Sequence, residues 1–528
     1  MDAQAFSQRL AEAMEGAGLK QADLIRLAEK RGQKLGKSQL SQYVHGKSSP
    51  RPAVMALLAD LLGVEQAWLS GQMPDAGQES RAKSSSSSEQ GPGSSVHCQS
   101  IKQEHTSKTK EEGSPASLEK GKTHMRQFKK SSKLDNVLYD VRGPVVEEAS
   151  RMEHAGTQVL KLNIGNPAPF GFRTPDEVVY DMSRQLADCE GYSPSKGLYS
   201  ARKAIMQYAQ IKELPNVDIN HIYTGNGVSE LINLSMSALL DDGDEILIPS
   251  PDYPLWTACA TLAGGHPVHY ICDEQAEWYP DIDDIRKKVS PRTKAIVIIN
   301  PNNPTGALYP KEVLEQIVEI ARENQLMIFS DEIYDRLVMD DAEHISIASL
   351  APDLFCVTFS GLSKSHMIAG YRVGWMILSG NLDIGQDYIE GINMLSNMRL
   401  CSNVPAQSII QTALWGHQSV KDYVRPGGRV YEQRNYVYEA LNAIDGVTAV
   451  KPKAGFYIFP KLDVKKFGIT DDVQFALDLL KRKKVLIVQG SGFNWHEPDH
   501  FRIVFLPRVE VLKEGVGKIA EFLETYHQ

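Results

Sequence analysis

Apolar positions follow two rhythms along this chain, separated by a stretch with neither. In residues 1–72 they recur at helical spacing, as Phe6, Leu10, Ala13 and Met14, then Leu24, Leu27 and Ala28, then Val54, Leu57, Leu58, Leu61 and Leu62. Gly18, Gly32, Gly36 and Gly46 punctuate these runs, which predicts a compact all-α unit. Residues 73–124 lose the pattern. A serine run from Ser84 to Ser88, then Gly91-Pro92-Gly93, then mixed Lys and Glu leave too little apolar surface to fold, so a disordered linker is expected.

Residues 125–528 show short, nearly continuous apolar runs, with structure expected to resume near Leu134. Glu245–Ile248, Pro267–Ile271, Ala295–Ile299, Leu326–Phe329, Leu354–Thr358 and Trp375–Leu378 read as strands buried on both faces. Helical stretches lie between them, such as Lys311–Glu323 with Val313, Leu314, Ile317, Val318 and Ala321 along one face. This alternation predicts an α/β fold with a mostly parallel sheet sandwiched by helices. Ligands of such sheets bind beyond the carboxyl ends of the strands, so the segments following each strand are where chemistry is sought.

The length of 528 residues, 42% of them hydrophobic, suits more than one domain. A net charge of −9 gives no global attraction to nucleic acid or anionic lipid, so any such binding must be local. Six cysteines without a CxxC pair indicate neither a disulfide framework nor a zinc site, and no metal is expected. The start Met1-Asp2-Ala3-Gln4 is not that of a signal peptide, and no apolar run is long enough to span a bilayer. A cytoplasmic protein with no membrane partner is the expectation.

Candidate chemistry falls after the strands. Asn300–Gly306 is a turn stiffened by two prolines that fixes Asn303 at a strand end. Asp331, in Ser330-Asp331-Glu332-Ile333-Tyr334, is a carboxylate just past a buried strand, costly unless it meets a cation such as a pyridinium nitrogen. Tyr334 could then donate to a phenolic oxygen on the same ring. Lys364, after Ser360-Gly361-Leu362-Ser363, could serve as a desolvated amine nucleophile holding pyridoxal phosphate (PLP). Arg372, among glycines, suits a phosphate, as does the Gly-rich turn Tyr223–Glu230 at a helix start. Tyr253 could lay its ring on a planar cofactor. Taken singly, each has a plain alternative: an Asn-Pro turn, a helix N-cap for Asp331, a solvated surface lysine. Their joint order and spacing argue against coincidence.

Through Asn300–Gly306, Ser330–Tyr334, Ser363-Lys364 and Ala369–Gly374 the chain resembles the class I aminotransferases of PLP fold type I. Leu162–Gly171, Pro251–Thr257 and Arg502-Ile503-Val504 further resemble bacterial alanine (glutamate–pyruvate) aminotransferases. The resemblance implies a small second α/β domain and transamination between L-alanine, or a similar amino acid, and 2-oxoglutarate. It also implies a homodimer. By the same resemblance Lys364 binds PLP and moves the Cα proton, Asp331 pairs with the ring nitrogen, and Asn303 and Tyr334 hold its phenolic oxygen. Tyr253 stacks on the ring. Gly227, Val228, Ser363 and Arg372 hold the phosphate, which Tyr192 reaches from the partner subunit. Arg502 grips the substrate carboxylate, with Asn303 and Gly165 beside it. Met367 departs from the aliphatic residue the family favours, and Ser360 competes with Ser363 for the phosphate.

Residues 1–72 resemble helix-turn-helix domains of the lambda-repressor and Cro type. Gln21 opens the second helix, and Ser38, Gln39 and Gln42 would read base edges from a recognition helix over Ser38–Val44. Between Arg26 and Arg51 seven basic residues face one acid, a local charge that suits DNA phosphates. Two readings follow: a working aminotransferase with a DNA-binding domain attached, or a regulator whose aminotransferase-like domain senses PLP or an amino acid.

Overall fold

The computed structural model describes residues 3–30, 35–48, 50, 52–64, 66–70, 128–135, 137, 139 and 143–528. The whole of the expected linker, 73–124, lies outside them. The chain divides into two compact units, Met1–Gly121 and Lys122–Gln528.

The described residues of the first unit form five helices: α1 (Ala3–Gly16), α2 (Gln21–Lys30), α3 (Lys37–Val44), α4 (Pro52–Leu62) and α5 (Gln66–Leu69). Their apolar stripes meet in a core of Phe6, Leu10, Leu24, Leu40, Leu58 and Leu69, all buried. The Phe6 ring sits edge-on to Tyr43 at 6.3 Å, and Ser7 Oγ donates to the Val44 carbonyl at 2.6 Å, tying α1 to α3.

The second unit is built on eight strands: β1 (Ile222–Asn226), β2 (Glu245–Ser250), β3 (His266–Asp273), β4 (Tyr279–Pro280), β5 (Thr293–Ile299), β6 (Met327–Asp331), β7 (Phe355–Gly361) and β8 (Val373–Gly380). They lie in the order β1-β8-β7-β6-β5-β2-β3-β4. The pairs from β7 through to β3 are parallel, while β8 runs against both β1 and β7, and β4 against β3. Successive residues point to opposite faces. On β5, Ile296 and Ile298 enter one core and Ala295, Val297 and Ile299 the other. Both faces are covered, which is why the strands read as unbroken apolar runs.

Two sequence expectations need correction. The stretch Tyr223–Gly225 is not part of a turn but the body of β1, buried against β8; its glycine and polar residues masked a strand that tertiary pairing imposes. The helix that follows, α6 (Val228–Leu239), begins inside the stretch read as a turn, which extends to Glu230. Helix α7, Lys311–Glu323, has the expected bounds.

A third core joins the helix Pro144–His154 to a small sheet of β9 (Tyr457–Ile458), β10 (Val488–Gln489) and β11 (Phe501–Val504), in the order β9-β11-β10. It brings Tyr457 and Arg502 over the carboxyl edge of the large sheet.

Beneath that edge lies a buried ionic cluster. Lys212 Nζ donates to Asp335 Oδ2 at 2.9 Å and to Glu332; Glu332 also accepts from Ser330 and Ser346 at 2.9 and 2.6 Å. Burial alone would push the Asp335 carboxyl up, but Lys212 and Arg336 outweigh it and hold it at about 2. Lys212→Met strands two carboxylates away from water and is expected to cost roughly 3–5 kcal/mol in chemical denaturation. Because the folded pKa of Asp335 is depressed, its contribution is present above about pH 4, the unfolded value, and is lost as pH falls toward 2. Stability measured between those pH values should fall in the wild type and be flatter in Lys212→Met.

Candidate active site

The carboxyl ends of β5, β6 and β7 open into a cavity of about 610 Å³. Its wall includes Gly165, Val228, Tyr253, Asn303, Asp331, Tyr334, Ser363, Lys364, Arg372 and Arg502. These residues span more than three hundred positions of sequence, and the sheet edge gathers them.

Asp331 ends β6, its neighbours across the sheet being Ile299 and Phe359. It does not cap a helix; its carboxylate accepts from Trp256 Nε1 and the Ile333 N–H, both at 3.2 Å. Burial pushes the carboxyl up to about 6, while those donors and the charge of Lys364 pull the other way. A cationic partner would favour the ionised form further. Lys364, on a short helical turn after β7, donates to the Gly165 carbonyl at 2.7 Å.

Arg372 precedes β8, so the reversal of that strand is what puts it at the same edge as the ends of its parallel neighbours. Its backbone is left-handed at φ 58°, and its guanidinium donates to the carbonyls of Ala369 and Asn226 at 2.9 and 3.2 Å. Gly374, paired with both Gly225 and Gly361, lets the start of α6 press onto the sheet: a Cβ there would lie 2.6 Å from Val228 N. Val228 and Ser229, at that helix start, line the cavity, and the first N–H groups of a helix lack partners within it. Gly227 is not on the wall itself but packs behind Arg372, with φ +80°. Of the two competing serines, Ser363 lines the cavity, and so does Ser229.

On the opposite side, Arg502 is buried between the rings of Tyr457 and Phe493, each 4.5 Å from the guanidinium. It donates to Asn303 Oδ1 at 2.9 Å and to the Asn163 carbonyl, and its Nε is without a partner. Desolvation lowers its proton affinity. Tyr334 and Tyr457 share a hydrogen bond of 2.7 Å between hydroxyls, and burial holds the Tyr334 phenol protonated. Tyr253 meets Tyr139 hydroxyl to hydroxyl at 3.2 Å.

Tyr192 is outside this cavity. It is 83% exposed and lines a separate surface cleft with Cys189, Asn226 and Cys401. In the first unit Gln21 is half-buried and Gln42 exposed, while the Ser38 and Gln39 side chains lie outside the described structure. Sequence reasoning missed Tyr139, Asn163, Tyr457 and the tie from Trp256 to Asp331. Only Asn163 and Trp256 stood inside a motif; Tyr457 reaches the cavity through pairing of β9 with β11, which leaves no local mark.

A mixed sheet with a lysine, a buried acid and a buried arginine meeting beyond its carboxyl edge defines a PLP-dependent transferase of fold type I. The chain belongs to the aminotransferases of classes I and II, whose family model matches residues 157–519. It is 60% identical over 404 residues to the glutamate-pyruvate aminotransferase AlaA of Haemophilus influenzae, covering 76% of this chain and all of that one. It is 53% identical to the alanine aminotransferase of Mycobacterium tuberculosis, over 77% of this chain and 95% of that protein. A crystal structure of an Escherichia coli aminotransferase superposes with a TM-score of 0.76 at 59% identity, over 76% of this chain and the whole of the other. The alanine aminotransferase of Pyrococcus furiosus gives 0.72 at 40% identity, over 75% and 100%.

The protein is therefore an aminotransferase, and aminotransferases of this kind use PLP. The cavity fits that group: an acid for a ring nitrogen, a phenol for an aromatic oxygen, and a guanidinium with a helix start for a phosphate. Gly227→Ala would place a Cβ 2.3 Å from Arg372 Nη2 in a left-handed backbone. It should weaken PLP affinity about tenfold or more, read by fluorescence titration of the apoenzyme.

Proposed function

We propose that residues 125–528 catalyse transamination between L-alanine, or a similar small amino acid, and 2-oxoglutarate, giving pyruvate and glutamate. The observation that carries this reading is the convergence of Asp331 at the end of β6, Lys364 on the turn after β7 and Arg502 on β11 around one cavity. The names of the alanine and glutamate-pyruvate aminotransferases among its relatives supply the substrates.

Bound PLP supplies an electron sink for the charge left at a substrate Cα when its proton departs. Asp331 would pair with the ring nitrogen, Asn303 and Tyr334 would hold the aromatic oxygen, and Tyr253 would cover the ring face. Arg372, Ser363, Gly227 and Val228 would hold the phosphate. Lys364 Nζ would hold the cofactor and would serve as the base that takes the substrate Cα proton and returns one. The Gly165 carbonyl orients that amine, with 2.7 Å between them. Arg502 offers a planar fork to the substrate carboxylate, held flat between two rings and shared with Asn303, a geometry lysine cannot supply. The reading includes a homodimer: Tyr192, exposed and away from its own cavity, would serve the phosphate of a second copy. No helix among the described residues is long and apolar enough to cross a membrane, and the five described cysteines are unpaired, which suits a cytoplasmic setting.

Purified protein should convert L-alanine and 2-oxoglutarate to pyruvate, followed by coupled pyruvate reduction. Lys364→Ala should lose roughly a thousandfold or more in turnover, and Arg502→Lys should raise KM about tenfold or more. Protein that binds PLP but performs no half-reaction with any amino acid would sink the assignment.

We further infer that residues 1–72 form a helix-turn-helix DNA-binding domain. Lys37, Gln42 and Lys47, on and just beyond α3, are exposed. The full chain should retard duplex DNA from its own upstream region, with an affinity that drops steeply with salt. Lys37→Glu with Lys47→Glu should abolish the shift and leave transamination intact. No retardation at low salt would exclude the domain's proposed role.

A further inference from the structure

Two segments far apart in sequence are locked together behind the cavity. The loop after β2 carries Asp252 and Tyr253; the turn Gly490–Phe493, before β11, carries the ring that lies on Arg502. Asp252 is fully buried. Asn494 Nδ2 donates to its Oδ1 at 2.7 Å, and Thr257 Oγ1 donates to its Oδ2 at 2.8 Å. The Asp252 N–H donates to the Phe493 carbonyl at 3.0 Å, and Ser250 Oγ to the Asn494 carbonyl at 2.7 Å. Asn494 holds a left-handed backbone at φ 55°, an uncommon conformation that asparagine tolerates best among non-glycine residues.

A buried carboxylate is expensive, and burial drives the Asp252 carboxyl up to about 7 despite its two side-chain donors. Neither Asp252 nor Asn494 lines the cavity, yet each neighbours a residue that bears on it: Tyr253 follows Asp252, and Phe493 precedes Asn494. Phe493 supplies one of the two faces between which the Arg502 guanidinium is clamped.

We propose that Asp252 and Asn494 form a positioning lock that fixes the substrate-carboxylate grip, Arg502, relative to the cofactor face, Tyr253. This rests on the reading of those two residues given above. The lock acts through Phe493: held by Asn494 and by the Asp252 N–H, the ring keeps the guanidinium in one plane. A fork free to tilt binds both amino acid and oxo acid less well while the proton-moving amine, on a different loop, is untouched.

Asn494→Ala removes the side-chain bond of the lock and leaves the bonds to the Phe493 and Asn494 carbonyls in place. It should raise KM for L-alanine and for 2-oxoglutarate about tenfold, with kcat and PLP affinity within about twofold of wild type. Asn494→Asp sets two carboxylates face to face and should raise KM further. Adding Asp252→Asn to it restores an amide–carboxylate pair with the roles exchanged, and KM should return to within about threefold of wild type. The absorbance of bound PLP and the thermal midpoint are recorded for each variant. Unchanged KM in Asn494→Ala overturns the lock. So does a joint fall of KM performance, PLP affinity and thermal stability, or a double variant no better than Asn494→Asp alone. Wild-type protein with no transamination would instead overturn the underlying assignment of the site.

Discussion

Keeping ionisable groups out of water is the constraint on which the rest of this structure depends. Asp331 is buried at the end of a strand with only an indole and a backbone N–H for company, and its carboxyl sits at about 6 as a result. Arg502 is stripped of water between two aromatic rings. Each is unfavourable alone, and each becomes favourable once an opposite charge enters the space between them. The cavity is thus a place where the fold has stored a need for a cationic ring and an anionic substrate. The large hydrophobic cores on either side of the sheet hold those groups in place against their own hydration.

The reversed strand β8 does as much for the site as any single side chain. In a wholly parallel sheet, the residue before a strand lies at the amino edge, opposite the ligand. Running β8 backward brings Arg372 to the carboxyl edge, and the glycines of β1, β7 and β8 lying side by side let α6 settle close enough to offer its N–H groups there. Beneath, the Lys212 cluster neutralises Glu332, which would otherwise place a second buried negative charge one residue from Asp331.

The resemblance to known aminotransferases covers about three-quarters of the chain, and the first unit has a core of its own. Its α2 and α3 are packed through Leu24 and Leu40 and leave polar residues such as Gln42 outward, a division of labour set by helical periodicity alone. An enzyme with such a unit attached gains a second surface whose charge differs from that of the whole.

By itself the sequence determined the class of fold and most of the chemistry. Short continuous apolar runs alternating with amphipathic helices fit strands covered on both faces, and polar residues at or just after their ends fall at a ligand edge, so the placing of Asn303, Asp331 and Lys364 along one cavity was legible. Local pattern also gave helix α7 its bounds. Tertiary structure decided what local pattern cannot encode. β1 is a strand because β8 pairs with it, not because Tyr223-Thr224-Gly225 favours extension. Tyr457 and Phe493 clamp Arg502 because β9 and the turn before β10's partner strand fold over the sheet. Trp256 reaches Asp331 across 75 residues of sequence. Such contacts depend on which surfaces meet after packing, and periodicity carries no information about a partner on another layer.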